Sequence, residues 1–127
     1  MMKNSREFLL CHICSNLVGF VHDTGAPLIC CGAPMAVLVP NTEDASQEKH
    51  VPVAVRTGDQ LHVTVGSVPH PMLPEHYIMW IAVAEGNRTT RVQLEPGQPP
   101  EAAFIVGDGP LTVYEYCNLH GLWATEV

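Results

Sequence analysis

Five cysteines and seven histidines in 127 residues are the side chains with the most chemistry to offer. Cys11-His12-Ile13-Cys14 is a C-x2-C knuckle, a tight turn that presents two thiolates to one ion. Sixteen residues later comes the adjacent pair Cys30-Cys31. Successive residues on a strand point to opposite faces, so the chain has to bend there if both sulfurs serve one metal. Four such thiolates make a tetrahedral site that suits zinc or iron. A thioredoxin-like redox pair fits less well, because no βαβ pattern surrounds the knuckle.

A second constellation lies further on. Cys117-Asn118-Leu119-His120 is a C-x2-H pair behind an apolar segment. His50, His70 and His76 fall at segment ends and in loops, with His70 held between Pro69 and Pro71, which restrict the local backbone. Four imidazoles and one thiolate exceed the four ligands that close a structural zinc site. They suit a square pyramid on iron, with one position left for a small molecule. A thiolate ligand pushes electron density into its metal, as in thiolate-ligated haem. Glu48 and Lys49 stand directly before His50, a carboxylate that could close the sixth position and an ammonium that could attract an anion. His12, His22 and His62 read as ordinary surface histidines.

The elements that must position these residues read as β structure. Leu61-His62-Val63-Thr64-Val65 alternates, with the three apolar residues facing a core. Tyr77 to Val83 is apolar throughout, as expected of a strand covered on both faces. Ala102–Val106 and Leu111–Tyr116 flank Gly107-Asp108-Gly109-Pro110, turn residues that predict a hairpin. Short strands between Pro- and Gly-rich loops predict an antiparallel sandwich. The polar stretch from Val39 to Gln47 reads as a linker, which divides the chain into a lobe at 1–38 and a sandwich domain at 39–127. A lobe of that size requires its cysteines to hold a fold, since below about 40 residues a metal or disulfide is usually needed.

Composition narrows the function classes. Six basic against 13 acidic residues give a net charge of −7, and Lys3 and Lys49 are the only lysines. Nucleic-acid affinity comes from clustered Lys and Arg, so a nucleic-acid partner is not expected. The longest apolar run, Tyr77 to Ala84, is less than half of a membrane span, and Phe8-Leu9-Leu10 is too short for a secretory apolar region. The expectation is a cytoplasmic protein with no membrane partner, where reduced cysteines bind metal. Two other readings compete. One is a non-enzymatic electron carrier, blue-copper-like or rubredoxin-like; the blue-copper form would use the C-x2-H pair, but Leu122 and Trp123 stand where its weak axial methionine belongs. A zinc-ribbon adaptor would leave the later histidines incidental.

The whole chain resembles the desulfoferrodoxins, the two-iron form of superoxide reductase. The likeness runs through Cys11-x-x-Cys14, Cys30-Cys31-Gly32, Glu48-Lys49-His50-Val51-Pro52-Val53, Gly66-Ser67-Val68-Pro69-His70-Pro71-Met72, His76, and Tyr116-Cys117-Asn118-Leu119-His120-Gly121. It implies a small desulforedoxin-like lobe with iron in four cysteine thiolates, followed by an immunoglobulin-like antiparallel β-sandwich. It further implies a catalytic iron ringed by His50, His70, His76 and His120, with Cys117 axial. Glu48 would then coordinate the oxidised iron, while Lys49 draws in superoxide and aids protonation. Two irons per chain, a homodimer, and rubredoxin or a similar electron donor follow from the same likeness. Two departures stand out. Ser15 occupies a turn position where the family often has glycine. The chain is also poor in lysine, so steering of the substrate anion rests more on Lys49, helped by Arg56, Arg88 or Arg91.

Overall fold

The computed structural model describes residues 7–42 and 50–127, and all regular structure among them is β. Glu48 and Lys49 lie outside the described residues. The chain forms two compact units whose boundary falls between Val39 and Pro40.

The first unit contains β1 (Phe8–Leu10), β2 (Leu17–Gly19), β3 (Ile29–Cys30), β4 (Ala33–Pro34) and β5 (Ala36–Val37). β1 lies between β2 and β5 in an antiparallel sheet, and β3 pairs with β4. Strands of two and three residues carry few ladder bonds, and Phe8, Leu9 and Cys11 are its buried apolar residues. The unit is therefore held by little besides whatever its sulfurs bind.

The second unit is a sandwich of seven strands: β6 (Pro52–Thr57), β7 (Gln60–Val65), β8 (Ile78–Glu85), β9 (Arg88–Gln93), β10 (Glu101–Ile105), β11 (Thr112–Cys117) and β12 (Gly121–Glu126). One sheet has the order β10-β7-β6 and the other β12-β11-β8-β9, with antiparallel pairing throughout. Leu61, Val63 and Val65 are fully buried, and with Phe104 they meet Ile78, Ile81, Val83, Val113 and Cys117 in one core. His62 points to solvent, as the alternation predicts. β8 is covered on both faces: Ile81 and Val83 join the core, while Trp80 on the other face stacks on Tyr116 at 6.0 Å.

One expectation fails. The segments around Gly107-Asp108-Gly109-Pro110 form no hairpin, because β10 pairs with β7 and β11 pairs with β8 and β12. The loop crosses from one sheet to the other, and side chains hold it there. Glu85 accepts the N–H of Gly107, and Arg56 donates to the carbonyls of Asp108 and Gly109 at 3.0 and 2.8 Å. A Cβ at Gly107 would lie 2.9 Å from the Glu85 carboxylate, so a larger residue there would make that side chain shift.

Register decides where the loops gather. Pro52 at the start of β6 pairs with Val65 at the end of β7, and Ile78 at the start of β8 pairs with Cys117 at the end of β11. The segment before β6, the β7–β8 connection and the β11–β12 turn therefore emerge at one end of the sandwich.

Candidate metal centres

The first unit brings Cys11, Cys14, Cys30 and Cys31 together, with their sulfurs within 4.8 Å of one another. The bend that the adjacent pair needs is a two-residue turn between β3 and β4. Cys31 and Gly32 both have positive φ, 53° and 76°, as in a type I′ hairpin. That turn swings Cys31 round to the side of Cys30, leaving their sulfurs 4.0 Å apart. Cys14 Sγ and Cys30 Sγ are 3.6 Å apart, far beyond a disulfide bond, and all five cysteines are free. The knuckle closes through the Ser15 N–H to the Cys11 carbonyl at 2.8 Å, with Ser15 at a φ of 68°. Asn16 Nδ2 donates to Cys30 Sγ at 3.6 Å.

Charge is unevenly shared among these sulfurs. The N–H groups of Cys14 and Ile13 hold the Cys11 thiol down at about 6. The neighbouring Cys14 and Cys11 sulfurs push Cys31 up to about 12 and raise Cys30 as well. One thiolate is thus ready near neutrality, and binding a cation would displace the protons of the others.

The second unit assembles His50, His70, His76, Cys117 and His120, one donor atom from each lying within 4.8 Å of all the rest. The imidazoles form a closed ring in the order 50, 70, 76, 120. Neighbouring centroids are 4.5, 4.8, 5.1 and 4.9 Å apart, and every neighbouring pair is inclined by 60° or more. His50 Nε2 and His70 Nε2 are 2.9 Å apart. Ligands at about 2.1 Å from one ion and at right angles would be separated by about 3 Å, so this spacing fits a shared cation. Cys117 Sγ lies 3.7 Å from both His70 Nε2 and His120 Nδ1. The donor set, nitrogen with one sulfur, suits iron as the sequence predicts.

Burial gives the centre a direction. Cys117 is fully buried, and His50 and His70 nearly so, while His76 is half-buried and His120 exposed. The thiolate is sealed in the core and the ring opens to solvent on the His120 side. His70 Nδ1 is 2.8 Å from the Pro71 carbonyl, which sets the ring to face its partners through Nε2.

His12, His22 and His62 are exposed and belong to neither group. Two of the three arginines named as helpers of Lys49 are engaged elsewhere. Arg88 pairs with Glu85 at 2.8 Å, at the far end of β8 from Ile78, about 23 Å along the strand. Arg56 is tied to the crossing loop at that same end. Two residues beside the centre escaped the sequence reading as parts of it. Trp123 stacks on His50, and the Asn118 amide binds the segment that carries His76. An amide residue between two ligands in a tight loop was the available signal for Asn118.

Comparison with known proteins follows this division. The desulfoferrodoxin family matches residues 42–126, and its N-terminal domain matches residues 4–38. A desulfoferrodoxin of Syntrophotalea carbinolica is 48% identical over 125 residues, spanning 98% of this chain and 99% of the relative. A superoxide reductase of Pyrococcus horikoshii is 40% identical and covers 66% of this chain and 90% of its own length. The crystal structure of the superoxide reductase from Treponema pallidum superposes with a TM-score of 0.74 at 32% identity, over 94% of this chain and 95% of that one.

Proposed function

This chain belongs to the desulfoferrodoxin family, and on that premise we propose that it is a superoxide reductase acting at the five-donor centre of its second domain. The family binds two irons, for which this chain presents its four-cysteine and His4Cys groups. The observation that carries the proposal is the convergence of five donor atoms within 4.8 Å, from segments 70 residues apart, on a centre open to one side. Ferrous iron bound there would supply the one electron that, with two protons, converts superoxide to hydrogen peroxide.

The chain's own residues then divide the work. His50, His70, His76 and His120 would hold the metal through imidazole nitrogen, and the sealed Cys117 thiolate would lend it electron density. Its burial also protects a nucleophilic sulfur from the oxidants that the reaction handles. A chain with net charge −7 repels an anion at long range, so capture depends on local positive charge. Lys49, one residue before His50 in the sequence, is the cation we assign to steering superoxide. Glu48 would offer a carboxylate to the oxidised metal. With Arg56 and Arg88 engaged at the other end of the sandwich, Lys49 carries more of the steering. In this reading the working protein is a cytoplasmic homodimer that receives electrons from rubredoxin or a similar donor.

A blue-copper carrier would leave two histidines idle, whereas all four face one point here. Its axial methionine has no candidate in Met72, whose sulfur accepts the Ile78 N–H at 3.4 Å. Superoxide consumption with an external reductant tests the proposal. The expected result is stoichiometric peroxide without release of oxygen, from protein holding about two irons per chain. Dismutation, or a protein that takes up only zinc or copper when iron is offered, overturns it.

A further inference from the structure

Asn118 stands between two donor residues, Cys117 and His120, in the three-residue loop that joins β11 to β12. Its side chain reaches out of that loop to the segment bearing a third donor. Oδ1 accepts the Tyr77 N–H at 2.9 Å, and Nδ2 donates to the Glu75 carbonyl at 3.0 Å. The Asn118 backbone N–H adds a bond to the Tyr77 carbonyl at 3.2 Å. These three bonds bracket His76 on both sides.

His76 belongs to a tight turn of its own, in which Leu73 and His76 exchange both backbone bonds at 3.0 Å. Such a turn fixes its internal shape but not its placement against the rest of the site. Further fastenings run through Met72, whose carbonyl accepts the Gly97 N–H at 2.8 Å and whose sulfur accepts the Ile78 N–H. Neither Met72 bond touches the 117–120 loop; the pairing of Ile78 with Cys117 does, but it lies two residues beyond His76 and leaves the Glu75 side of the turn to the Asn118 amide. The amide is suited to the gap because one planar group carries an acceptor and a donor side by side. It can therefore hold an N–H and a carbonyl two residues apart at the same time.

We propose that Asn118 is a positioning residue: its amide fixes His76 against the Cys117–His120 pair and so governs how firmly the five-donor centre retains its metal. The inference rests on these five residues being metal ligands, as the proposed function has them. Partners of this kind typically change metal affinity by about 10- to 100-fold.

The full chain provides its own control, because it has a second metal centre in a separate unit. Iron-loaded wild type, Asn118→Ala and Asn118→Asp would be challenged with a chelator, following the thiolate-to-metal absorption of each centre. In Asn118→Ala, metal should leave the five-donor centre about tenfold faster or more, with its band shifted, while the four-cysteine centre behaves as in wild type. Asn118→Asp keeps the acceptor for Tyr77 but sets a carboxylate against the Glu75 carbonyl. It should fall between the two, and it carries the test if the alanine variant does not fold. Wild-type release and an unshifted band in both variants overturn the proposal. So does parallel loss from both centres in step with a falling melting temperature, which would make Asn118 merely structural. Wild type that loads only the four-cysteine centre refutes the ligand assignment itself, and the inference with it.

Discussion

Trp123 lies flat on His50, with ring centroids 4.7 Å apart and planes inclined by 13°. Its indole Nε1–H donates to the His120 carbonyl at 3.2 Å. One side chain thus braces two of the four imidazole-bearing segments, one by its face and one by its edge. Both rings of the stack are buried, at 6% and 3% exposure.

Trp123→Phe keeps an aromatic face against His50 and gives up the N–H bond, at a cost of about 0.5–1.5 kcal/mol. Trp123→Ala removes the whole indole and should cost about 3–5 kcal/mol. Denaturant unfolding of the metal-free protein reads both. On metal binding at the five-donor centre, emission from Trp123 should be quenched while that from Trp80, stacked on Tyr116, persists. Trp80→Phe and Trp123→Phe variants separate the two signals.

Cys117→Ser exchanges the sealed thiolate for a hydroxyl. The thiolate-to-iron absorption of the five-donor centre should vanish, while that of the four-cysteine centre remains. Visible spectra of the oxidised variant decide this, and a persistent band would remove Cys117 from the ligand set.

Arg88, followed by the Gly107 N–H, holds the Glu85 carboxyl below its usual range. A carboxyl depressed on folding contributes stability that is present above its ordinary value of about 4.3 and lost as pH falls through the lower folded value. Glu85→Gln should therefore melt below wild type near neutrality, and the two curves should converge in acid. Melting temperatures across that span check the sign.

Ser15 adopts a φ of 68°, a left-handed conformation that costs a residue with a Cβ about 1–2 kcal/mol. Glycine removes that strain but gains about 0.4–1 kcal/mol of freedom in the unfolded chain. Ser15→Gly should stabilise the four-cysteine unit by a few tenths to about 1 kcal/mol, and Ser15→Ala should give no gain. The denaturant midpoint of that unit's visible absorption measures both.

Much of this was legible in the chain, for definite reasons. The alternation of Leu61, Val63 and Val65 is a local property and appears unchanged in β7. The four cysteines and the C-x2-H pair carry their chemistry in their spacing. The crossing at Gly107–Pro110 was not legible, because its residues have the chemistry of a hairpin turn. Which strands β10 and β11 pair with is settled by distant faces on β7 and β8. Asn118 and Trp123 were hidden for a similar reason, since their partners at 75–77 and 50 become neighbours only after the sheets stack. Where Arg56 and Arg88 sit was not legible, because their charge can be read from sequence but their carbonyl and carboxylate partners cannot.

The two centres imply opposite orders of assembly. In the sandwich, long ladders and an apolar core bring five donors to one rim before any ion arrives, so folding comes first and capture second. In the lobe, strands of two or three residues cannot hold four sulfurs in place unaided, and the ion itself has to act as nucleus. Iron scarcity would therefore leave a finished sandwich trailing an unravelled N-terminal segment, open to proteases and to thiol oxidation.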